Sequence, residues 1–200
     1  MSKAGCTIAA RIGLATGMRR GEVVGLTWGC VDLKNRRIRV AQSVTVYGEI
    51  KEPKSEAGKR FIKIDEETVR HLSIWKARQA AELDKLCLEQ DAATPVCCSD
   101  TGDYMNANNF SRWWRSFADA SGFTGLKFHE LRHTQASQLV ASGMDVKTVQ
   151  HRLGHSSATL TMNLYAHALP ENDDKAADLI GNLLSSKPEA SEEEPLRKTA

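Results

Sequence analysis

The chain has 200 residues, of which 41% are hydrophobic and 26% are charged, and its formal net charge is +2. This balance is typical of a soluble globular protein with enough apolar side chains for one sizeable core, and the weak positive charge permits nucleic acid as a partner without requiring it. No apolar run approaches the roughly 20 residues that span a bilayer, and the amino terminus has no signal-peptide core. The sequence therefore predicts a cytoplasmic protein with no membrane partner.

The cysteines and carboxylates indicate no metal site. The cysteines are odd in number and show neither a disulfide framework nor CxxC spacing: Cys6, Cys30, Cys87, Cys97 and Cys98. We expect them to be reduced and mostly buried thiols. The sequence has no clustered carboxylates of the kind that hold Mg²⁺, so neither a metal nor a cofactor is predicted.

Two short helices are predicted at the start of the chain. Residues 7–15 have helical composition, Gly17 offers an end for this helix, and the following MRRGEVVGLTW predicts a second one. Arg19 therefore lies at a junction between two helices. Taken alone, it is most simply interpreted as a solvated surface arginine, which is the usual environment of this residue type.

The pattern changes to strands over residues 36–64, in IRVAQSV, VTVYGEI and RFIKI. These segments predict a small three-stranded antiparallel sheet in a mainly α-helical, α+β domain. The turn in KEPKSEAGK would leave Lys54 near the tip of a hairpin, where a lysine normally contacts solvent and blocks edge pairing. If the tip leans over a bound phosphodiester, the same ammonium could deliver a proton.

Two further helices are predicted in the middle of the chain. Residues 65–90 have the periodicity of a long amphipathic helix, and residues 106–120 form another. The second helix carries Trp113, Trp114 and Phe117. These aromatic side chains could stack on bases, but their helical spacing favours core packing.

The last third of the chain, residues 128–167, concentrates histidine, arginine and tyrosine in predicted helices. His129 and Arg132 are three residues apart, so they lie on one helix face and can converge on one small anion. A lone histidine or tyrosine in such a place is more often structural than catalytic. The combination is what indicates a phosphate site.

The same region predicts the positions of a second histidine and a tyrosine. A helix over residues 146–153 should end at Gly154 and leave His155 on the following turn. A short helical segment over residues 159–164 is followed directly by Tyr165. This part of the chain would then supply a nucleophile to the phosphate site.

In chain order, four segments closely resemble the tyrosine recombinase or phage integrase family: ATGMRRGE, PKSEAGKR, HELRHT and LGHSSATLTMNLYAH. The resemblance covers residues 15–167, and its HxLRHT and LGHS…Y parts are far more specific than short glycine motifs. It implies the catalytic-domain fold of that family and a site-specific DNA recombinase. Such an enzyme cleaves and rejoins DNA through a covalent 3′-phosphotyrosyl intermediate, without metal or ATP, in the integration or excision of a phage or other mobile element.

The resemblance implies catalytic roles for six residues, namely Arg19, Lys54, His129, Arg132, His155 and Tyr165. Tyr165 is the nucleophile, and because its ordinary pKa is about 10 it needs a base, for which His129 is the candidate. Lys54 is the general acid that protonates the leaving 5′ oxygen. Arg19, Arg132 and His155 stabilise the phosphate, since guanidinium forks hold its oxygens bidentately.

The implied partner is double-stranded DNA carrying attachment or core sites, bound by a homotetramer, with the isolated domain a monomer. Family members carry an amino-terminal DNA-clamping domain, for which there is no room before Arg19. We therefore expect residues 1–186 to be a catalytic domain alone, and residues 187–200 to be a disordered tail. A predicted helix over residues 169–186 would pack on a neighbouring protomer or on its own domain.

Two other functions fit part of the pattern. A type IB topoisomerase uses similar chemistry, but that family usually has lysine at the position of His129, so HELR favours a recombinase. A non-catalytic DNA-binding relative would keep the fold without the reaction. The intact set of six residues argues against it.

Overall fold

The computed structural model describes residues 3–53 and 58–154. Several predictions concern residues outside these ranges: Lys54, His155, Tyr165, the helices over 159–164 and 169–186, and the tail over 187–200. Within the two described ranges, no helix is both long and apolar enough to cross a membrane.

The described elements fall into three groups along the chain, with two helices first, short strands next and further helices last. Their order is α1 (Lys3–Thr16), α2 (Arg20–Val24), β1 (Val31–Asp32), β2 (Arg37–Val40), β3 (Ser43–Val44), β4 (Ile50–Lys51), β5 (Arg60–Lys63), α3 (Glu66–Asp84), α4 (Ala107–Ala120), α5 (Glu130–Ala141) and α6 (Val146–Leu153). A 3-10 helix, Trp28–Cys30, precedes β1. The predicted mainly helical α+β fold is confirmed.

The three-stranded antiparallel sheet is also confirmed, and the predicted IRVAQSV and RFIKI segments supply two of its strands, β2 and β5, but the third strand is β1 and not VTVYGEI. The order is β1-β2-β5, whereas β3 and β4 form a separate hairpin. The chain leaves the sheet after β2 because the Gln42 amide donates to the Gly25 carbonyl at 2.8 Å and to the Tyr104 hydroxyl at 2.7 Å. In the sheet, Ile38 and Ile62 are paired and buried, so this face packs on the helices.

Helix α3 begins as predicted and ends earlier, at Asp84. The Asp65 side chain caps its amino terminus by accepting from the Thr68 backbone N–H at 2.8 Å. Beyond its last turn, Cys87 adopts a positive φ of 58°, which no helix allows. Gln90 then donates to the Lys76 carbonyl at 3.0 Å and folds the chain back along α3.

The aromatic side chains of α4 divide between core and surface. Trp114 is buried, and its indole N–H donates to the Leu126 carbonyl at 2.9 Å. Trp113 is partly buried against the core, so core packing is confirmed for both tryptophans. Phe117 is 42% exposed and stacks on Trp113 with ring centroids 5.0 Å apart, so the core prediction is wrong for Phe117. Phe117 therefore continues the apolar face of α4 beyond the buried residues, onto the protein surface.

The core positions the start of α5. Buried side chains of α1, α3, α4 and the sheet form one cluster, and the ring of Phe128 meets Phe110 and Trp114 edge-on at 4.9 and 5.2 Å. Because Phe128 precedes His129, this packing fixes where α5 begins. The five cysteines are all free thiols, and three of them are buried, as predicted.

Candidate active site

Arg19 lies at the junction between α1 and α2, as predicted, but it is not simply solvated. Its backbone N–H and its guanidinium Nη1 both donate to the carboxylate of Glu22, each at 2.8 Å. Its Nη2 donates to the Gly154 carbonyl at 3.0 Å. The side chain remains 49% exposed, so the guanidinium is oriented by the protein and still open on one side.

Arg132 is buried in α5, in contrast to most arginines. Its Nη1 donates to the Gly17 carbonyl at 2.7 Å, and its Nη2 donates to the Leu153 carbonyl. Since a guanidinium has five N–H donors, two bonds to carbonyls fix its plane and leave other donors for a ligand. The planar fork thereby joins the carboxyl ends of α1 and α6.

Gly17 can form this junction because it has a positive φ of 64°, which follows the last turn of α1. We expect Gly17→Ala to lower the free energy of unfolding by about 1–3 kcal/mol, through backbone strain and overpacking. The new Cβ would lie 2.3 Å from Gln135 Oε1 and 2.6 Å from Leu153 Cδ2. Urea unfolding followed by circular dichroism measures the change.

Gly48→Ala is the matched control for this prediction. Gly48 also has a positive φ, of 83°, but a Cβ there would meet nothing within 4 Å. It therefore reports the backbone strain alone, and Gly17→Ala should lose more stability. Equal losses would contradict the predicted overpacking at Gly17.

His129 is the N-cap residue of α5, so it lies directly before the first residue of the helix. The prediction that placed His129 inside the helix is therefore wrong by one position. The backbone carbonyl of His129 accepts from the Arg132 N–H at 3.2 Å, and the imidazole of His129 is exposed. His129, Arg19 and Arg132 line the same cleft, which has a volume of about 690 Å³. The structure therefore brings together three of the six predicted site residues.

Further basic side chains line this cleft, and sequence reasoning gave them no role: Arg20, Arg115 and Lys127. Arg20 donates to the Ser111 hydroxyl at 2.7 Å and so links α2 to α4. None of the described residues that line the cleft is an aspartate or a glutamate. The cleft is consequently suited to an anion.

Two buried ionic residues behind Arg19 were also missed. Arg60 donates to Glu22 through Nη1 at 3.3 Å and Nη2 at 3.0 Å, and its side chain is completely buried. Glu22 lies three residues after the N-cap Arg19 and accepts its backbone N–H, which is one half of a capping box, and this spacing could have identified the carboxylate. No comparable local signal marks Arg60.

The charges of this group do not balance. Burial raises the pKa of Glu22, but the bonds and charges of Arg60 and Arg19 outweigh it and hold the pKa below its ordinary value of 4.5. Burial lowers the pKa of Arg132 to about 9, with Arg19 and Arg60 acting in the same direction and Glu22 opposing them. Two guanidiniums, those of Arg19 and Arg60, thus bind the single carboxylate of Glu22, and the charge of Arg132 adds to theirs. A bound anion would relieve their mutual repulsion.

The described chain stops short of the remaining predicted site residues. Lys54 follows Pro53 directly, His155 follows Gly154, and Tyr165 lies further on. Over residues 3–53 and 58–154, no group of three or more His, Cys, Asp or Glu side chains could hold a metal ion.

Comparison with known proteins identifies the family. The model of the Phage integrase family matches residues 3–172, which span the cleft and the HELRHT and LGHS…Y segments. The chain belongs to this family. Two proteins with similar sequences are a "Tyrosine recombinase XerC-like" protein of Caldanaerobacter subterraneus subsp. tengcongensis, 28% identical over 187 residues, and the ICEBs1 integrase of Bacillus subtilis, 29% identical over 177 residues. Each match covers 86% of this chain and 48% of the relative.

A solved structure similar to this chain is that of the integrase of the transposon Tn1549, in complex with a circular intermediate DNA. It superposes with a TM-score of 0.71 at 26% identity, and the match covers 88% of this chain and 58% of that one. This chain thus has the catalytic-domain fold of tyrosine recombinases and spans about half the length of the relatives named above.

Proposed function

We propose that this chain is the catalytic part of a site-specific tyrosine recombinase that acts on double-stranded DNA. The observation that carries the proposal is the convergence of Arg19, His129 and Arg132 on one cleft with unbalanced positive charge. A phosphodiester is the anion that this site suits, because oriented guanidiniums bind phosphate oxygens bidentately. The family relationship gives the reaction.

In the cleavage step, the Tyr165 hydroxyl oxygen attacks phosphorus while His129 accepts its proton. The bond between phosphorus and the 5′ oxygen breaks, and Lys54 protonates the leaving oxygen. The products are a 3′-phosphotyrosyl ester and a free 5′ hydroxyl. Arg19, Arg132 and His155 stabilise the charge that grows on the non-bridging oxygens, and each well-placed donor contributes roughly 3–4 kcal/mol.

In the joining step, the 5′ hydroxyl of another strand attacks the phosphotyrosine and releases Tyr165. The covalent ester conserves the energy of the broken bond, so neither ATP nor a metal is needed. Repeated on both strand pairs within a homotetramer, these steps exchange strands, and the proposed outcome is integration or excision of a mobile element. The names of the relatives, a transposon integrase and the ICEBs1 integrase among them, support that outcome.

The proposed domain organisation follows from the same relationship. Residues 1–186 would form the catalytic domain and residues 187–200 a tail, and the domain would be monomeric without DNA and act in the cytoplasm. On its own it should bind DNA weakly, because electrostatic affinity scales with the number of phosphate contacts.

The test is covalent capture on DNA. A nicked suicide duplex carrying the element's core site loses a short 5′-hydroxyl fragment after cleavage, which traps the adduct. We expect protease digestion and mass spectrometry to find the 3′ phosphate on Tyr165, and Tyr165→Phe, the matched control, to form no adduct. Absence of an adduct with the wild type, or attachment to another residue, would overturn the proposal. Relaxation of supercoiled DNA lacking a core site would instead indicate a topoisomerase.

A further inference from the structure

Arg60 is bonded to the protein through every nitrogen of its guanidinium group. It is the first residue of β5, and its side chain has no exposed surface. Its Nε donates to the Arg152 carbonyl at 2.8 Å and its Nη1 to the Gly58 carbonyl at 3.2 Å. The same guanidinium also holds Glu22 with both terminal nitrogens. All three of its nitrogens are therefore engaged.

Each partner of Arg60 is next to a different part of the proposed machinery. Glu22 binds the guanidinium of Arg19. Gly58 is the first described residue after the segment that begins with Lys54. Arg152 lies three residues before His155 in the sequence. One buried guanidinium thus contacts the three chain segments that lead to Arg19, Lys54 and His155.

The carboxyl end of α6 connects Arg60 to both cleft arginines. Three successive carbonyls there each accept a bond from a different guanidinium: Arg152 from Arg60, Leu153 from Arg132 and Gly154 from Arg19. The last carbonyls of a helix have no partner within the helix and carry partial negative charge, so they attract cations. A shift of Arg60 would therefore move the helix end that orients Arg132 and Arg19.

We propose that Arg60 is a positioning residue for strand cleavage, an inference that rests on the function proposed above. Its planar fork fixes Glu22 and the carboxyl end of α6 together, and this holds Arg19 and Arg132 in the arrangement that binds the scissile phosphate. A lysine has the charge but not the fork, so it cannot hold three segments at once. Arg60 itself does not line the cleft.

The decisive variant is Arg60→Lys, assayed by single-turnover cleavage of the suicide duplex at saturating DNA. We expect cleavage to slow by about 10²-fold, the effect of misplacing a reacting group by roughly 1 Å. The matched control is Arg36→Lys, which makes the same substitution at a 51% exposed arginine paired with Glu66 and should leave the rate unchanged. Thermal melting of every variant, with assays run below its midpoint, separates lost folding from lost positioning.

A double-variant comparison distinguishes positioning from a purely structural role. If Arg60 acts through Arg19, the two substitutions share a mechanism, and Arg60→Lys should slow Arg19→Lys by much less than it slows the wild type. Independent effects that multiply would overturn the inference.

A rate for Arg60→Lys within threefold of the wild type would also overturn it, while leaving the proposed function intact. If Arg60→Lys does not fold, Arg60→Gln, whose amide can still donate to the Arg152 carbonyl, replaces it. Failure of both to fold would assign Arg60 to stability alone. Absence of an adduct with the wild type would refute the proposed function and this inference together.

Discussion

Arg132→Lys is expected to slow single-turnover strand cleavage by about 10²- to 10³-fold, the loss measured when one oriented donor is removed from a developing oxyanion. The guanidinium of Arg132 donates to the Gly17 and Leu153 carbonyls from two different nitrogens and still lines the cleft. A lysine has three donors on one nitrogen and cannot hold two helix ends and a phosphate in the same plane. The charge would remain, but its orientation would be lost.

The measurement is the rate of adduct formation at saturating DNA, so that weaker binding does not contribute. The matched control is Arg78→Lys on α3, an exposed arginine whose ion pair with Glu82 lies outside the cleft. Its rate should equal that of the wild type. If Arg132→Lys cleaves as fast as Arg78→Lys, the proposed role of Arg132 is wrong.

Glu22→Gln is expected to lower the free energy of unfolding at pH 7 by about 3–5 kcal/mol, because removing one partner of a buried ion pair leaves the other charge uncompensated. Glu22 is 5% exposed and is the carboxylate that binds both Arg60 and Arg19. A glutamine keeps the shape of the side chain but not its charge. Cleavage should also slow, since Arg19 loses the group that orients it.

The pH dependence supplies a second readout. The pKa of Glu22 in the folded protein lies below its ordinary value of 4.5, because the bonds and charges of the arginines outweigh the effect of burial. Its contribution is therefore complete above pH 4.5 and is lost as the pH falls through the lowered value. The difference in free energy of unfolding between the wild type and Glu22→Gln, measured by urea unfolding, should shrink as the pH falls below 4.5.

Glu67→Gln is the control, because Glu67 is an exposed carboxylate that pairs with Arg70 and His71 on α3. Such surface pairs contribute little, so its loss at pH 7 should be much smaller than that of Glu22→Gln. Similar losses for the two variants, or a Glu22→Gln difference that stays constant from pH 7 to pH 3, would refute the proposed ionic role.

Local chemistry made much of the fold predictable. Asp65, Asn106 and Asp145 each cap a helix by accepting a backbone N–H, and Gly17 and Gly154 end helices with positive φ. These signals depend on a few neighbouring residues, so the sequence contains them in full. The helices they bound are confirmed, and α6 matches its predicted range of residues.

One of the three predicted strands is wrong, at a place where local pattern and tertiary contacts compete. VTVYGEI alternates like a strand, yet it forms only a short hairpin, because Gln42 is bound to Gly25 and Tyr104 and turns the chain away from β2. The end of α3 was overestimated for a related reason, since Gln90 is held against an earlier turn of the helix. The residues that bind Gln42 and Gln90 lie 14 or more positions away along the chain, which is further than the periodicity of a helix or strand can indicate.

The sequence by itself determined the family, through the HELRHT and LGHS…Y segments, and with it the candidates for nucleophile, acid and phosphate ligands. Only the tertiary structure decided how the arginines are held. The bonds from Arg60 to Glu22 and to Arg152 join residues 38 and 92 positions apart, and those from Arg132 and Arg19 to Gly17 and Gly154 span 115 and 135 positions. A carbonyl has the same chemistry at every residue. Which carbonyls meet a guanidinium is therefore decided by the packing of α1, α5, α6 and the sheet.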